Sequence, residues 1–130
     1  MLRDKIPDYF DQLVDELLTE YGNENVSYTR TYTDSPQSFP HIYFKRLNSS
    51  DALPTLSGYK ESKGINNTVE IHAYHNKGIS KAEDFALFVR RVMTDKVGME
   101  CDYFNQMDNV SDSKIIQFVM RFSSLSTETE

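Results

Sequence analysis

The sequence predicts an α+β domain with two helices packed on one face of a mainly antiparallel sheet, in the order α-β-β-β-α-β-β. Three observations predict it. Apolar residues recur at spacings of three and four in two separate segments, the stripe an amphipathic helix buries. Five other segments alternate apolar and polar residues with a period of two, the pattern of half-buried strands. Gly, Pro, Asn, Asp and Ser punctuate the joins between them.

The first helix is expected over residues 4–21, where Ile6, Phe10, Leu13, Val14, Leu17, Leu18 and Tyr21 form the stripe. Pro7 is tolerated because a first-turn residue needs no amide donor, and Gly22 is placed to end the helix in a left-handed conformation. Asp8, Asp11, Asp15, Glu16 and Glu20 fill the other positions and read as a solvated face. A half-buried strand follows over residues 26–33, with Val26, Tyr28, Arg30 and Tyr32 on one face. Pro40 should open a second strand in which Ile42 and Phe44 oppose His41, Tyr43 and Lys45.

Residues 48–64 show turn residues and no period, so they read as a long mobile connection. Leu53, Pro54, Leu56 and Tyr59 give it more apolar matter than a linker needs. Either it packs back on its own domain or it orders against a partner, and in the second case Leu53, Leu56 and Tyr59 are candidate protein-interface residues. The third strand covers residues 65–74, with Val69, Ile71 and Ala73 facing away from Thr68, Glu70, His72 and Tyr74. Ser80 and Glu83 have capping-box spacing and predict the start of the second helix. Ala82, Phe85, Ala86, Val89, Val92 and Met93 are its buried stripe, and Gly98 its stop. Strands over residues 99–104 and 114–122 form a hairpin, Ile116, Phe118, Met120 and Phe122 sharing one face. The domain is expected to end near residue 124, with residues 125–130 a disordered tail and fraying setting in from Ser123.

At 130 residues and 15.1 kDa the chain has room for one core, which can hold it without disulfides or metals. Eight Phe and eight Tyr argue against disorder. A net charge of -6 repels phosphate backbones, which argues against a nucleic-acid binder. A lone Cys101, no secretory signal and no apolar run of membrane-spanning length predict a soluble protein made in a reducing cytoplasm. The sequons at Asn25, Asn48, Asn66 and Asn109 are then without consequence.

Chemistry is thinly represented. His72 and His75 are the best metal candidates, but three residues apart on a strand they point to opposite faces, and no further ligand has zinc-site spacing. They read as surface histidines at a strand end. Cys101 lies between Glu100 and Asp102, which disfavour a thiolate, and reads as a buried structural cysteine. The five glycines are scattered singly, so there is no phosphate cradle, and no cofactor is expected. Arg90, Arg91 and Lys96 are explained by the dipole at a helix C-terminus. An RNA-reading sheet would need a basic surround beside Tyr43, Tyr74 and Phe104 on its open face. Apolar residues on both strand faces instead point to protein partners.

In order and spacing the chain resembles the tail terminator, or tail completion, proteins of long-tailed phages and prophages. The resemblance rests on Phe39-Pro40 before the strand HIYFKRL, an Asn at Asn66 or Asn67, and Val69, Ile71, Tyr74 and Asn76 in VEIHAYHN. It continues through Gly98-Met99 to Asp112, Ile115 and Arg121-Phe122. Gln117 stands where an arginine is expected, and Phe122 where the family more often has tyrosine. The resemblance implies a structural protein and not an enzyme. Such a protein forms a ring, commonly hexameric, that caps the tail tube at its head-proximal end, stops polymerisation and docks the head. Its implied partners are further copies of itself, the tail-tube protein and a head-completion or connector protein, with no membrane and no specific nucleic acid. Its implied location is the host cytoplasm during assembly and then the virion. The alternative is a small cytoplasmic enzyme or ligand-binding domain using Glu70, His72 and His75 on the open sheet face.

Overall fold

The structure, a computed structural model, describes residues 6–22, 26–31, 36, 38–47, 50–51, 64–108 and 114–127. Its elements are α1 (Ile6–Tyr21), β1 (Ser27–Thr29), β2 (His41–Arg46), β3 (Ser50–Asp51), β4 (Gly64–His75), α2 (Ile79–Arg91), β5 (Glu100–Asp108) and β6 (Ile116–Thr127). The expected α+β class and element order hold, with β3 as an added two-residue strand. The strands form one sheet in the order β1-β2-β4-β6-β5, and β3 pairs with the start of β4. Every pairing is antiparallel except β1 with β2.

One face of the sheet carries the core. Ile42 and Phe44 of β2, Val69, Ile71 and Ala73 of β4, and Phe118, Met120 and Phe122 of β6 are buried there. Ile6, Leu13 and Leu17 of α1 and Ala82, Phe85, Ala86 and Val89 of α2 cover them, so the expected stripes are the ones that meet. Aromatic edges tie the layers together. Phe10 of α1 meets Phe44 at 5.1 Å, and Tyr21 meets Phe85 and Phe88 of α2 at 5.5 and 5.6 Å. Tyr9 reaches Ser124 of β6 at 2.9 Å.

Four local expectations are corrected. Ser80 and Glu83 do not cap α2: both are exposed, Gly78 at φ 103° is the N-cap, and no side chain closes the cap. Instead the Gly78 carbonyl accepts the Ala82 amide at 3.0 Å, so the N-cap lies two residues before Ser80 and is made by backbone bonding alone. β1 is only three residues long, because its parallel pairing covers only His41 to Tyr43 of β2. β6 runs to Thr127 instead of fraying from Ser123, since β4 begins at Gly64 and its first residues pair with 123–127. Backbone pairing needs no apolar alternation, which is why those residues carried no signal. Cys101 is half-buried rather than buried, packing at the margin of the core.

After Arg91 the helix widens into a π-helical turn, Val92–Val97, that keeps Val92 and Met93 in the core. Gly98 ends it at φ 87°, and the following Met99 amide returns to the Met93 carbonyl at 2.9 Å. Nothing lies within 4 Å of a Cβ built on Gly98, so the only cost of a side chain there is the left-handed backbone. Gly98→Ala should therefore lower stability by about 1 kcal/mol in urea melts, while Ser80→Ala should leave it within about 0.5 kcal/mol.

Candidate functional site

The sheet face away from the helices is ordered by register into three rows. The first runs His41, Tyr74, Gln117, Met107, and the second Tyr43, His72, Val119, Asn105. The third runs Lys45, Glu70, Arg121, Tyr103. The β2 and β4 side of this face is covered: Tyr74 is fully buried and joins Tyr43, Ile115 and Phe39 in a second apolar cluster. The β5 side is open, with Tyr103 38% and Met107 43% exposed.

A polar chain crosses the middle. Arg121 Nε–H donates to Glu70 Oε1 at 2.8 Å, and His72 Nε2–H donates to Glu70 Oε2 at 2.8 Å. His72 Nδ1 then accepts from the Gln117 side-chain amide at 2.7 Å. In this arrangement Nε2 carries the proton that Glu70 accepts and Nδ1 faces the Gln117 amide. The Arg121 guanidinium also lies 5.2 Å over the Tyr103 ring. Burial pushes the Glu70 carboxyl up, but the hydrogen bonds from His72 and Arg121 outweigh it and hold the group below its usual value.

His41 is the most perturbed base. It is bonded to Ser27 Oγ through Nδ1 and packs 5.8 Å from the Tyr74 ring. Ser27 Oγ also reaches the Ser38 carbonyl at 3.3 Å. With the hydroxyl proton donated there, Nδ1 carries the imidazole proton and Nε2 is left as a buried lone pair without a partner. Burial lowers the His41 pKa to about 4. His75 faces the helix side, its ring 6.2 Å from Phe85, with Nδ1 accepting the Asn76 and Lys77 amides. Burial first, then Lys81 and Lys77, lowers its pKa as well.

The expectation of surface histidines is thus corrected. His75 is 9% exposed because it packs against Phe85 of α2, and the His72 side chain is 14% exposed because Tyr43, Glu70, Tyr74 and Gln117 surround it. Glu70 and His72 do come together, but His75 lies across the sheet from them, so the three do not form one site. Phe104 is not on the open face; it packs beside Phe118 on the helix side. A bulge between Cys101 and Tyr103 causes this, adding one residue that reverses the alternation. Leu53, Leu56 and Tyr59 lie outside the described residues. Gln117 and Arg121 stood out only as positions of the family resemblance; their contacts to His72 and Glu70 had no local signal, because those partners are 45 and 51 positions away and meet them only through the register.

Among the described residues no group of three or more His, Cys, Asp and Glu is placed to hold a metal, and no helix is long and apolar enough to cross a membrane. Three clefts of about 200, 240 and 250 Å³ fall below the usual size of a small-molecule site. Two lie where α1 meets the π-helical turn, the third beside His75 and Phe85.

No protein-family model matches the chain, and no curated protein matches it. A solved structure does. A chain from the virion of the native gene transfer agent particle superposes with a TM-score of 0.65 at 14% identity, over 92% of this chain and 91% of that one. The two share a fold. The likeness spans nearly the full length of both, so it takes in sheet and helices together.

The histidines set a pH dependence. Unfolded, His41 takes a proton near 6.5, whereas folded it resists one down to about 4. The stability it contributes is full above about 6.5 and is lost as the pH falls through that window, and His75 acts in the same direction. Glu70, held low, keeps its contribution until the pH drops below the ordinary carboxylate range. Urea midpoints should fall between pH 6.5 and 4, and His41→Gln should flatten that decline; an unchanged slope would contradict the assignment.

Proposed function

We propose that this chain is a structural protein of a phage-like particle. In this reading it forms a ring, commonly six-membered in the family it resembles, at the head-proximal end of the tail tube. The ring ends tail polymerisation and docks the head. The observation that carries the reading is the near end-to-end fold likeness to a chain of a gene transfer agent virion. The spaced residues from Phe39-Pro40 to Arg121-Phe122 support the tail-terminator role independently.

The chemistry of the described residues supports a non-enzymatic role. Glu70, His72, Gln117 and Arg121 satisfy one another across strands, which suits a rigid sheet better than a reacting centre. The net charge of -6 suits a ring that lets DNA pass without holding it. Leu53, Leu56 and Tyr59 are proposed as contacts to another protein of the particle.

The test is electron microscopy of the purified protein mixed with tail tubes. Rings on one end of each tube, and tubes that stop growing once capped, are the expected result. Tubes that stay bare and continue to lengthen would overturn the proposal. Changing Leu56 and Tyr59 together to Asp should reduce the capped fraction several-fold, because docking would bury unpaired charge.

A further inference from the structure

The sheet ends in two unlike edges. At one end is β5, whose nine residues, ECDYFNQMD, contain no Lys or Arg. Among the described residues it pairs only with β6, so its outer backbone groups have no strand beside them. Glu100 and Asp102 are exposed along it, next to the exposed Tyr103 ring, which the Arg121 guanidinium overlies, and the exposed Met107 thioether. At the other end is β1, three residues long and paired only with β2 among the described residues. Beyond it β2 continues for three residues. This edge carries two exposed cations, Lys45 on the face away from the helices and Arg30 on the helix side, where its guanidinium lies 5.5 Å over the Phe10 ring and Tyr28 packs on the same ring while 43% exposed.

An acidic strand edge with Tyr and Met anchors and a basic edge with a Tyr anchor, at opposite ends of one sheet, are complementary. We infer that β5 of one subunit docks against the β1 and β2 edge of a second copy of this chain, so that the sheet continues from subunit to subunit. The occupant is chosen by charge. Two β5 strands brought together would set Glu100 and Asp102 of one against those of the other, with Arg90 and Arg121 held over the rings of Phe104 and Tyr103, whereas the opposite edge supplies Arg30 and Lys45. The contact joins two different surfaces, so it propagates from head to tail, as a ring requires. Added-strand pairing supplies backbone hydrogen bonds, and the charges choose the partner. This rests on the ring reading above and names the surface through which the ring would close.

Charge reversal tests it on the full chain. Variant one carries Arg30→Glu and Lys45→Glu, so both its edges are acidic. Variant two carries Glu100→Lys and Asp102→Lys, so both are basic. In native mass spectrometry and light scattering at low salt, the parent should associate. Each variant alone should need on the order of tenfold higher concentration or more to do so. An equimolar mixture should recover association near the parent's, in species holding the two variants in equal numbers, because each acidic edge then meets a basic one. That recovery also shows that both variants fold. If thermal melts show either to be unfolded, the single changes Lys45→Glu and Asp102→Lys carry the same test. Variants that associate like the parent would overturn the edge contact, as would a folded mixture that stays dissociated or a parent that is monomeric at every concentration. Tube capping is scored separately on the parent, so a parent that caps tubes while the edge variants assemble normally refutes this contact and leaves the ring reading standing.

Discussion

β4 pairs with β6 along all twelve of its residues, and β2 and β3 take up much of the other edge of β4. A strand held in this way has no freedom of register, since a slip of one residue would exchange its faces. Val69, Ile71 and Ala73 would then leave the core, and Glu70 and His72 would enter it against α2. The helices are positioned by the apolar side of this strand, and the polar chain from Arg121 to Gln117 by the other. Both faces therefore depend on one alignment.

The core was readable in advance because burial on one side enforces a period. The stripes of α1 and α2 and the alternation in β2, β4 and β6 each named their buried residues correctly, including Ile42, Phe44, Phe85 and Met93. Failures came where backbone geometry acted without side-chain pattern. The α2 cap is a glycine conformation and a main-chain bond, so Ser80 and Glu83 carried the spacing of a capping box without its geometry. The end of β6 pairs through its backbone, and the bulge in β5 changes phase by a single residue. The polar face was only half legible. Alternation puts Glu70 and His72 together, but Gln117 and Arg121 reach them through strand order and register, which no local window contains.

The two faces of the sheet are built on different physics. The helix side is apolar packing, tolerant of local volume changes if the cavity can relax. The other side joins a buried aromatic cluster to directional hydrogen bonds. His72 presents an N–H to Glu70 and its Nδ1 to Gln117, and His41 bonds Ser27 through Nδ1. Such an arrangement holds each ring in one orientation and keeps the sheet stiff.

The bulge at β5 also bears on how the chain behaves before it meets any partner. A long, flat, regular edge is a template on which other unfinished chains can stack into aggregates, and an exposed nine-residue strand invites that. The extra residue at Asp102 breaks the edge into two short runs that differ in phase, and it adds a carboxylate at the break. The longer run, Tyr103 to Asp108, is left shorter than the whole strand and ends on a carboxylate at Asp108. The interruption therefore favours the folded chain over stacking along this edge.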